Sequence, residues 1–279
     1  MSHPRFSLEP LSVPEVSSSA LVDLAWQAGF DFVSMFAYSP TPQLAADKAV
    51  ADLDTRHAMQ QRMRDTGVKI HNLECFNLTA DEDPANFAAA LECGGALGAT
   101  HATAIVYENT HRSDALTKFR RLCSMAAEHR IRVNLEFFAM CKTIPNLDAA
   151  VGFLKEAGCR NSGLVMDLLH IVRTSGGMAG LAGFDREMIG TVQISDGPID
   201  GAGLDLEAET VERRIPGTGG FPIKEFCEWL PADVVIGIEV PQLSLFGKTS
   251  PLDRARRMID GTRTLLNSEH DVSAPSARR

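Results

Sequence analysis

The 279-residue sequence predicts one α/β domain, a TIM (β/α)8 barrel over residues 1–266, on three observations. Short apolar runs alternate with helical patterns eight times along the chain. The runs lack clean polar alternation, as expected of parallel strands buried on both faces. No Gly-x-Gly-x-x-Gly turn follows the first run, which speaks against an open dinucleotide-binding sheet.

Residues 6–11 form the first run. Ser17, Ser18 and Ser19 then precede apolar residues at Leu21, Leu24, Ala25 and Ala28, a helical spacing that stops at Gly29. Residues 30–38, rich in aromatic and branched side chains, make strand two. A helix through Ala58, Met59 and Met63 runs to Gly67, and residues 68–78 make strand three. Asp83 before Pro84 predicts an N-cap with proline at the first helical position, for a segment ending near Gly98. Residues 101–107 are strand four, followed by a helix at 116–129. Residues 131–138 are strand five, and Asn146 caps a helix closing at Gly158. Strands six, seven and eight fall at 162–168, 189–195 and 234–240, with the last two helices at 222–230 and 251–266. Residues 267–279, rich in Ser, Ala and charge, predict a flexible C-terminal tail.

Lys and Arg number 27 against 36 Asp and Glu, a formal charge of −9. That excess of acid argues against a protein that grips nucleic acid by neutralising phosphates. No apolar stretch approaches the roughly 18 residues of a membrane span, and residues 1–9 lack the apolar core of a signal peptide. The expected location is therefore the cytoplasm. Cys75, Cys93, Cys123, Cys141, Cys159 and Cys227 form no Cys-x-x-Cys pair and read as reduced, mostly buried small hydrophobes.

In such a barrel the chemistry sits where strands end, so polar residues there carry the functional signal. Strand five contains Glu136, strand six ends in Asp167 with His170 three residues on, strand seven carries Gln193, and strand eight carries Glu239. An ionised carboxylate inside an apolar run costs several kcal/mol unless paired or bound to metal. Each is open to a bland reading, a lone polar residue capped by a loop amide or an arginine. Four successive strands with one pattern favour an all-oxygen site for a hard divalent cation.

The motifs Leu135-Glu136-Phe137, Asp167-x-x-His170, Val192-Gln193-Ile194-Ser195-Asp196, Arg214-x-Pro216-Gly217-Thr218-Gly219 and Ile238-Glu239-Val240 resemble the xylose isomerase-like TIM barrels. This is the sugar phosphate isomerase/epimerase superfamily. Its hydroxypyruvate isomerase and 3-dehydroshikimate dehydratase branches look nearest, because they too carry Gln where many members carry His. The resemblance implies metal ligands at Glu136, Asp167, Gln193 and Glu239, a site histidine at His170 and a substrate-contacting arginine at Arg214. The glutamine makes the site oxygen-rich, which favours Mn²⁺ or Mg²⁺, with Co²⁺ and Zn²⁺ as alternatives. Relatives also imply a homo-oligomer, a dimer or tetramer.

The implied activity is isomerisation or epimerisation of a small sugar, keto-polyol or hydroxy-keto acid. Glu136 and Glu239 would remove and return a proton beside a metal-polarised carbonyl. If the carbanion instead expels a β-hydroxyl, with His170 as acid, the same residues give a dehydratase of a cyclic keto-polyol such as 3-dehydroshikimate or an inosose. A non-catalytic sugar-binding barrel is the distant alternative. The AP endonuclease branch shares the barrel but needs further histidine ligands and a basic face, which Gln193 and the −9 charge disfavour.

Further candidates for the substrate pocket are His71 and Glu74 on strand three, Tyr107 and Glu108 at the end of strand four, and Lys142 and Arg173 after strands five and six. For His71 a hydrogen-bonded core histidine is the competing reading, and for Lys142 and Arg173 an exposed loop cation. Asp196 would orient a site residue or cap the turn at Gly197-Pro198. Residues 217–219 suggest a tight loop more than a phosphate cradle, lacking a following Gly-Lys-Ser. His57, His111, His129 and His270 read as surface positions.

Overall fold

A computed structural model describes residues 4–38, 48–107 and 110–268. It is a closed barrel of eight parallel strands in chain order, with β1 paired to β8. The first half runs β1 (Arg5–Leu8), α1 (Ser18–Ala28), β2 (Phe32–Phe36), α2 (Leu53–Thr66), β3 (Lys69–Leu78), α3 (Ala88–Ala96), β4 (His101–Val106) and α4 (Arg112–Glu128). The second half runs β5 (Arg132–Glu136), α5 (Leu147–Ala157), β6 (Ser162–Asp167), α6 (Leu168–Thr174), β7 (Ile189–Ile194), α7 (Leu206–Val211), α8 (Ile223–Trp229), β8 (Val235–Ile238) and α9 (Pro251–Asn267). Of the tail expected over 267–279, the residues beyond Ser268 lie outside the described ones.

Local signals set the helix ends where the sequence placed them. The Ser17 hydroxyl accepts from the Ala20 amide, Asn146 accepts from Ala149, and Gly29, Gly67 and Gly158 close their helices in the left-handed region. Asp83 does cap its segment, but the first turn, Pro84–Phe87, is a 3-10 helix leading into α3. Residues 9–11 are not strand: β1 ends at Leu8, and Pro10–Ser12 turns as a 3-10 helix. Strand six is also shorter than expected. Asp167 closes β6 and caps α6, its Oδ1 accepting from the Leu169 amide at 2.8 Å, so His170 lies in the first turn of a helix.

Leu73, Leu135, Met166, Ile194 and Phe119 belong to the core between strands and helices. Inside the barrel the chemistry differs from the usual branched aliphatic filling. Ser7 contacts Ser34 at 3.4 Å, Asn72 donates to Thr103 at 2.9 Å, and Asn134 contacts His101 at 3.1 Å, all beneath the ends of the strands.

Three register shifts aim the side chains of this polar interior. A bulge puts one extra residue into one strand and so re-aims the side chains beyond it. Between β6 and β7, Leu164 faces Ile189 while Val165 faces Thr191, leaving Gly190 unopposed. The space a side chain would take at Gly190 is filled by Asn134, whose Oδ1 lies 1.8 Å from an ideal Cβ position. Beyond this bulge, Asp167 aligns with Gln193 and Gln193 with Gly237, so polar residues of adjacent strands share one level. Replacing Gly190 with Ala should overpack this layer and cost about 1–3 kcal/mol, read as a lower urea midpoint at unchanged m-value.

Candidate active site

The C-terminal ends of the strands open into a cavity of about 790 Å³ whose lining includes Glu74, Tyr107, Glu136, His170, Arg213 and Glu239. Glu136 is the last residue of β5, and Asp167 the last of β6. Glu239 follows β8, held by its own amide on the Ile194 carbonyl at 3.0 Å and by the Val240 amide on the Ser12 hydroxyl at 2.8 Å. Gln193, on β7, donates from Nε2 to Glu239 Oε1 at 3.3 Å. All four are buried.

Glu136, Asp167 and His170 offer ligand atoms within 4.8 Å of one another. His170 Nε2 lies 3.6 Å from Glu136 Oε1 and 3.7 Å from Asp167 Oδ2, beyond hydrogen-bond reach. The charge of this group is met by Arg213, which reaches Asp167 Oδ2 at 2.8 Å and Glu239 Oε2 at 3.0 Å. Burial disfavours the Arg213 cation, but Asp167 and Glu239 outweigh it and raise its pKa above the ordinary value.

Crowding of acids governs protonation. Burial, then the charges of Glu239 and Asp167, hold Glu136 well above the usual carboxylate range. Burial raises Glu239 to about 7 against the pull of Arg213. His170 is pushed down to about 4 by burial, with Asp167 opposing, so it is neutral at pH 7.

The donor chemistry fits a divalent cation. Glu136 and Asp167 converge with His170, and Glu239 is joined to Gln193, whose amide oxygen Oε1 is buried and has no hydrogen-bond partner among the described residues. Such an oxygen is costly unless something electropositive faces it. Oxygen donors with one imidazole suit hard or borderline cations.

The structure departs from the sequence expectation at three pocket positions. Arg214 is exposed, and Arg213 is the arginine in the cavity. The reason is an antiparallel bridge: the Asp196 and Arg214 backbones exchange two hydrogen bonds of 2.9 Å, and side chains alternate on either side of it. His71 sits at the opposite end of the barrel, in a β3 bulge between Phe32 and His101, and not in the cavity. Lys142 is exposed on the loop after β5 and does not line the cavity. Glu74 and Tyr107 do line it, Tyr107 being 39% exposed.

Arg173 is no exposed loop cation; its guanidinium is buried in α6 and bound to Glu209 at 2.6 Å. Asp196 caps a turn in the strict sense, its carboxylate accepting from the Gly197, Gly217, Gly219 and Phe221 amides and so folding residues 213–221 over the barrel. His57 and His111 are exposed and His129 is half-buried, whereas Glu108 and His270 lie outside the described residues.

Sequence reasoning missed Arg213 and Glu9. Glu9, after β1, is buried beside Ser7, Ser34 and Gln193, and burial raises it to about 7. An acid closing an apolar run, Leu8-Glu9, is the same signal that marked Glu136 and Glu239.

Comparison with known proteins places this geometry. A family model described as xylose isomerase-like TIM barrel matches residues 22–265. The chain belongs to the xylose isomerase-like TIM barrel family. Over 153 residues it is 31% identical to a 3-dehydroshikimate dehydratase of Pseudomonas aeruginosa, a match covering 54% of this chain and 23% of that relative's length. The solved structure of IolI protein with a bound zinc atom superposes with a TM-score of 0.75 at 18% identity, over 94% of this chain and 98% of that one. D-Allulose 3-epimerase from Methylomonas sp. gives 0.69 at 17% identity, over 95% and 99%. At those identities the two structures share the fold. No described helix is long and apolar enough to cross a membrane.

The site can be tested through its charges. Arg213→Ala should destabilise the metal-free protein by about 3–5 kcal/mol by stranding two buried carboxylates, whereas Arg214→Ala should stay within about 0.5 kcal/mol. Chemical unfolding of both variants compares them. Glu9 binds a proton more tightly folded than unfolded, so its contribution is present below about pH 4.5 and lost as pH rises through about 7. Metal-free protein should therefore melt at a lower temperature at pH 8 than at pH 5.5, and Glu9→Gln should flatten that slope.

Proposed function

We propose that this chain is a divalent-metal-dependent enzyme that moves a proton on the carbon beside a carbonyl of a small polyhydroxylated substrate, an isomerase or epimerase. The observation that carries this reading is the pair Glu136 and Glu239, two buried glutamates that line one cavity. A carboxylate positioned beside the reacting carbon can both accept and return a proton.

Glu136, Asp167, Gln193 and Glu239 would hold the metal, with His170 beside them, and Mn²⁺ or Mg²⁺ suits the oxygen-rich set better than Co²⁺ or Zn²⁺. A divalent cation there supplies Lewis acidity, making the C–H beside the carbonyl easier to ionise. One glutamate removes that proton; the other delivers a proton to the opposite face or the neighbouring atom. Neutral His170 is placed to hydrogen-bond a substrate oxygen. Phe36, Phe138 and Met140 line the same cavity and restrict water around the reacting carbon. Arg213 keeps Asp167 and Glu239 in place from the side.

A dehydratase is the second reading, favoured by the 31% identity to the Pseudomonas aeruginosa enzyme. In that case the electron pair left by proton removal expels a β-hydroxyl, the proton taken from carbon by the glutamate is delivered to the departing oxygen as water forms, and neutral His170 holds that oxygen by a hydrogen bond.

NMR in D₂O with Mg²⁺-loaded protein and a panel of keto-polyols separates the two. Deuterium entering carbon without loss of water is the outcome for isomerase or epimerase, and a new alkene signal the outcome for dehydratase. Glu136→Gln should slow either by about 10²–10⁴-fold. No exchange and no product with any compound would sink the proposal.

A further inference from the structure

Among the described residues lining the cavity, one buried acid is left without a task by the proposed reaction. Glu74 lies on β3, across the same cavity from strands five to eight, and is 6% exposed. Its Oε1 accepts from Asn72 Nδ2 at 2.6 Å and from Thr103 Oγ1 at 3.2 Å, and Asn72 also donates to Thr103 at 2.9 Å. That triangle immobilises the carboxyl. The remaining oxygen, Oε2, has no partner among the described residues, and the side chain lines the cavity. The β3 bulge makes this placement possible, since Glu74 and Cys75 stand between the pairs Leu73–Ala102 and Phe76–Ala104. A polar atom left free in a cavity is a hydrogen-bonding position for a ligand.

The surrounding charges restrict what that ligand is. Among the described lining residues, Glu74, Asp81, Glu136, Glu207 and Glu239 are acids, and Arg213 is the one permanent cation. Arg213 is already engaged by Asp167 and Glu239. The nearby cations are occupied too: Lys118 donates to the Thr79 and Ala80 carbonyls behind the wall, and Arg173 is bound to Glu209. A carboxylate or phosphate entering here would lose its water and meet acids in return.

We propose that Glu74 is a specificity-determining residue whose clamped carboxyl hydrogen-bonds a substrate hydroxyl and selects an uncharged polyol end over a carboxylate or phosphate. The inference rests on this cavity being the substrate site of the proposed enzyme. Within that reading it favours a neutral ketose or a neutral cyclic keto-polyol over a sugar phosphate or 3-dehydroshikimate.

The test is ligand binding by the full chain with Mg²⁺, titrated through the ligand-dependent melting temperature. Two matched pairs serve as probes: D-fructose with D-fructose 6-phosphate, and a neutral inosose with 3-dehydroshikimate. The neutral member of at least one pair should bind at least ten-fold more tightly than its anionic partner. Glu74→Gln, which keeps the shape but takes away the carboxyl, should reduce that preference ten-fold or more. Equal or tighter binding of the anion by the wild-type protein would overturn the proposal even if the variant does not fold. So would an unchanged preference in a folded Glu74→Gln protein, or binding of no neutral probe. A neutral probe that binds with this preference but exchanges no deuterium would instead defeat the proposed reaction and leave the selection by Glu74 standing.

Discussion

The mouth of this barrel depends on neutralising acids that have been taken out of water. Glu136 and Asp167 end β5 and β6 and Glu239 follows β8, so all three stand at the same end of the barrel. Such carboxylates are tolerated when protonated, when paired or when facing a metal. Arg213 supplies the pairing for Asp167 and Glu239 in this structure, and burial pushes Glu136 toward its protonated form. The same crowding that threatens the fold also displaces Glu136 and Glu239 toward their protonated forms in the metal-free protein.

The support for Arg213 extends outward from the barrel. Asp196 gathers four backbone amides of the following loop, and its own backbone pairs with Arg214. That backbone bridge fixes which of two adjacent arginines enters the cavity. Gly219 belongs to this arrangement because an ideal Cβ there would lie 2.3 Å from Asp196 Oδ1. The loop is thus built around a charge, and the tight glycine-containing turn at 217–219 is a consequence of that packing.

Below the mouth, Ser, Thr and Asn replace the usual aliphatic filling, and they connect the acids to the rest of the barrel. Asn72 and Thr103 hold Glu74, while Glu9 shares its surroundings with Ser7, Ser34 and Gln193. Buried polar networks of this kind hold side-chain geometry more tightly than apolar packing when their members are satisfied. Their cost is sensitivity to small volume changes, as the contact between Asn134 and Gly190 illustrates.

The sequence alone determined the fold class, the helix boundaries at Ser17, Gly29, Asn146 and Gly158, and the row of polar residues ending strands five to eight. These are local matters of capping, glycine conformation and apolar runs, and neighbouring residues decide them. It did not determine which side chains share a cavity. His71 and Glu74 are three residues apart on one strand, yet bulges leave the first at the barrel's closed end and the second at its mouth. Arg213 and Arg214 look equivalent as text, and only the backbone bridge to Asp196, 18 residues earlier, tells them apart. Tertiary structure decided these points because a one-residue shift in register turns a side chain to the other face of its strand, and that shift is set by distant partners.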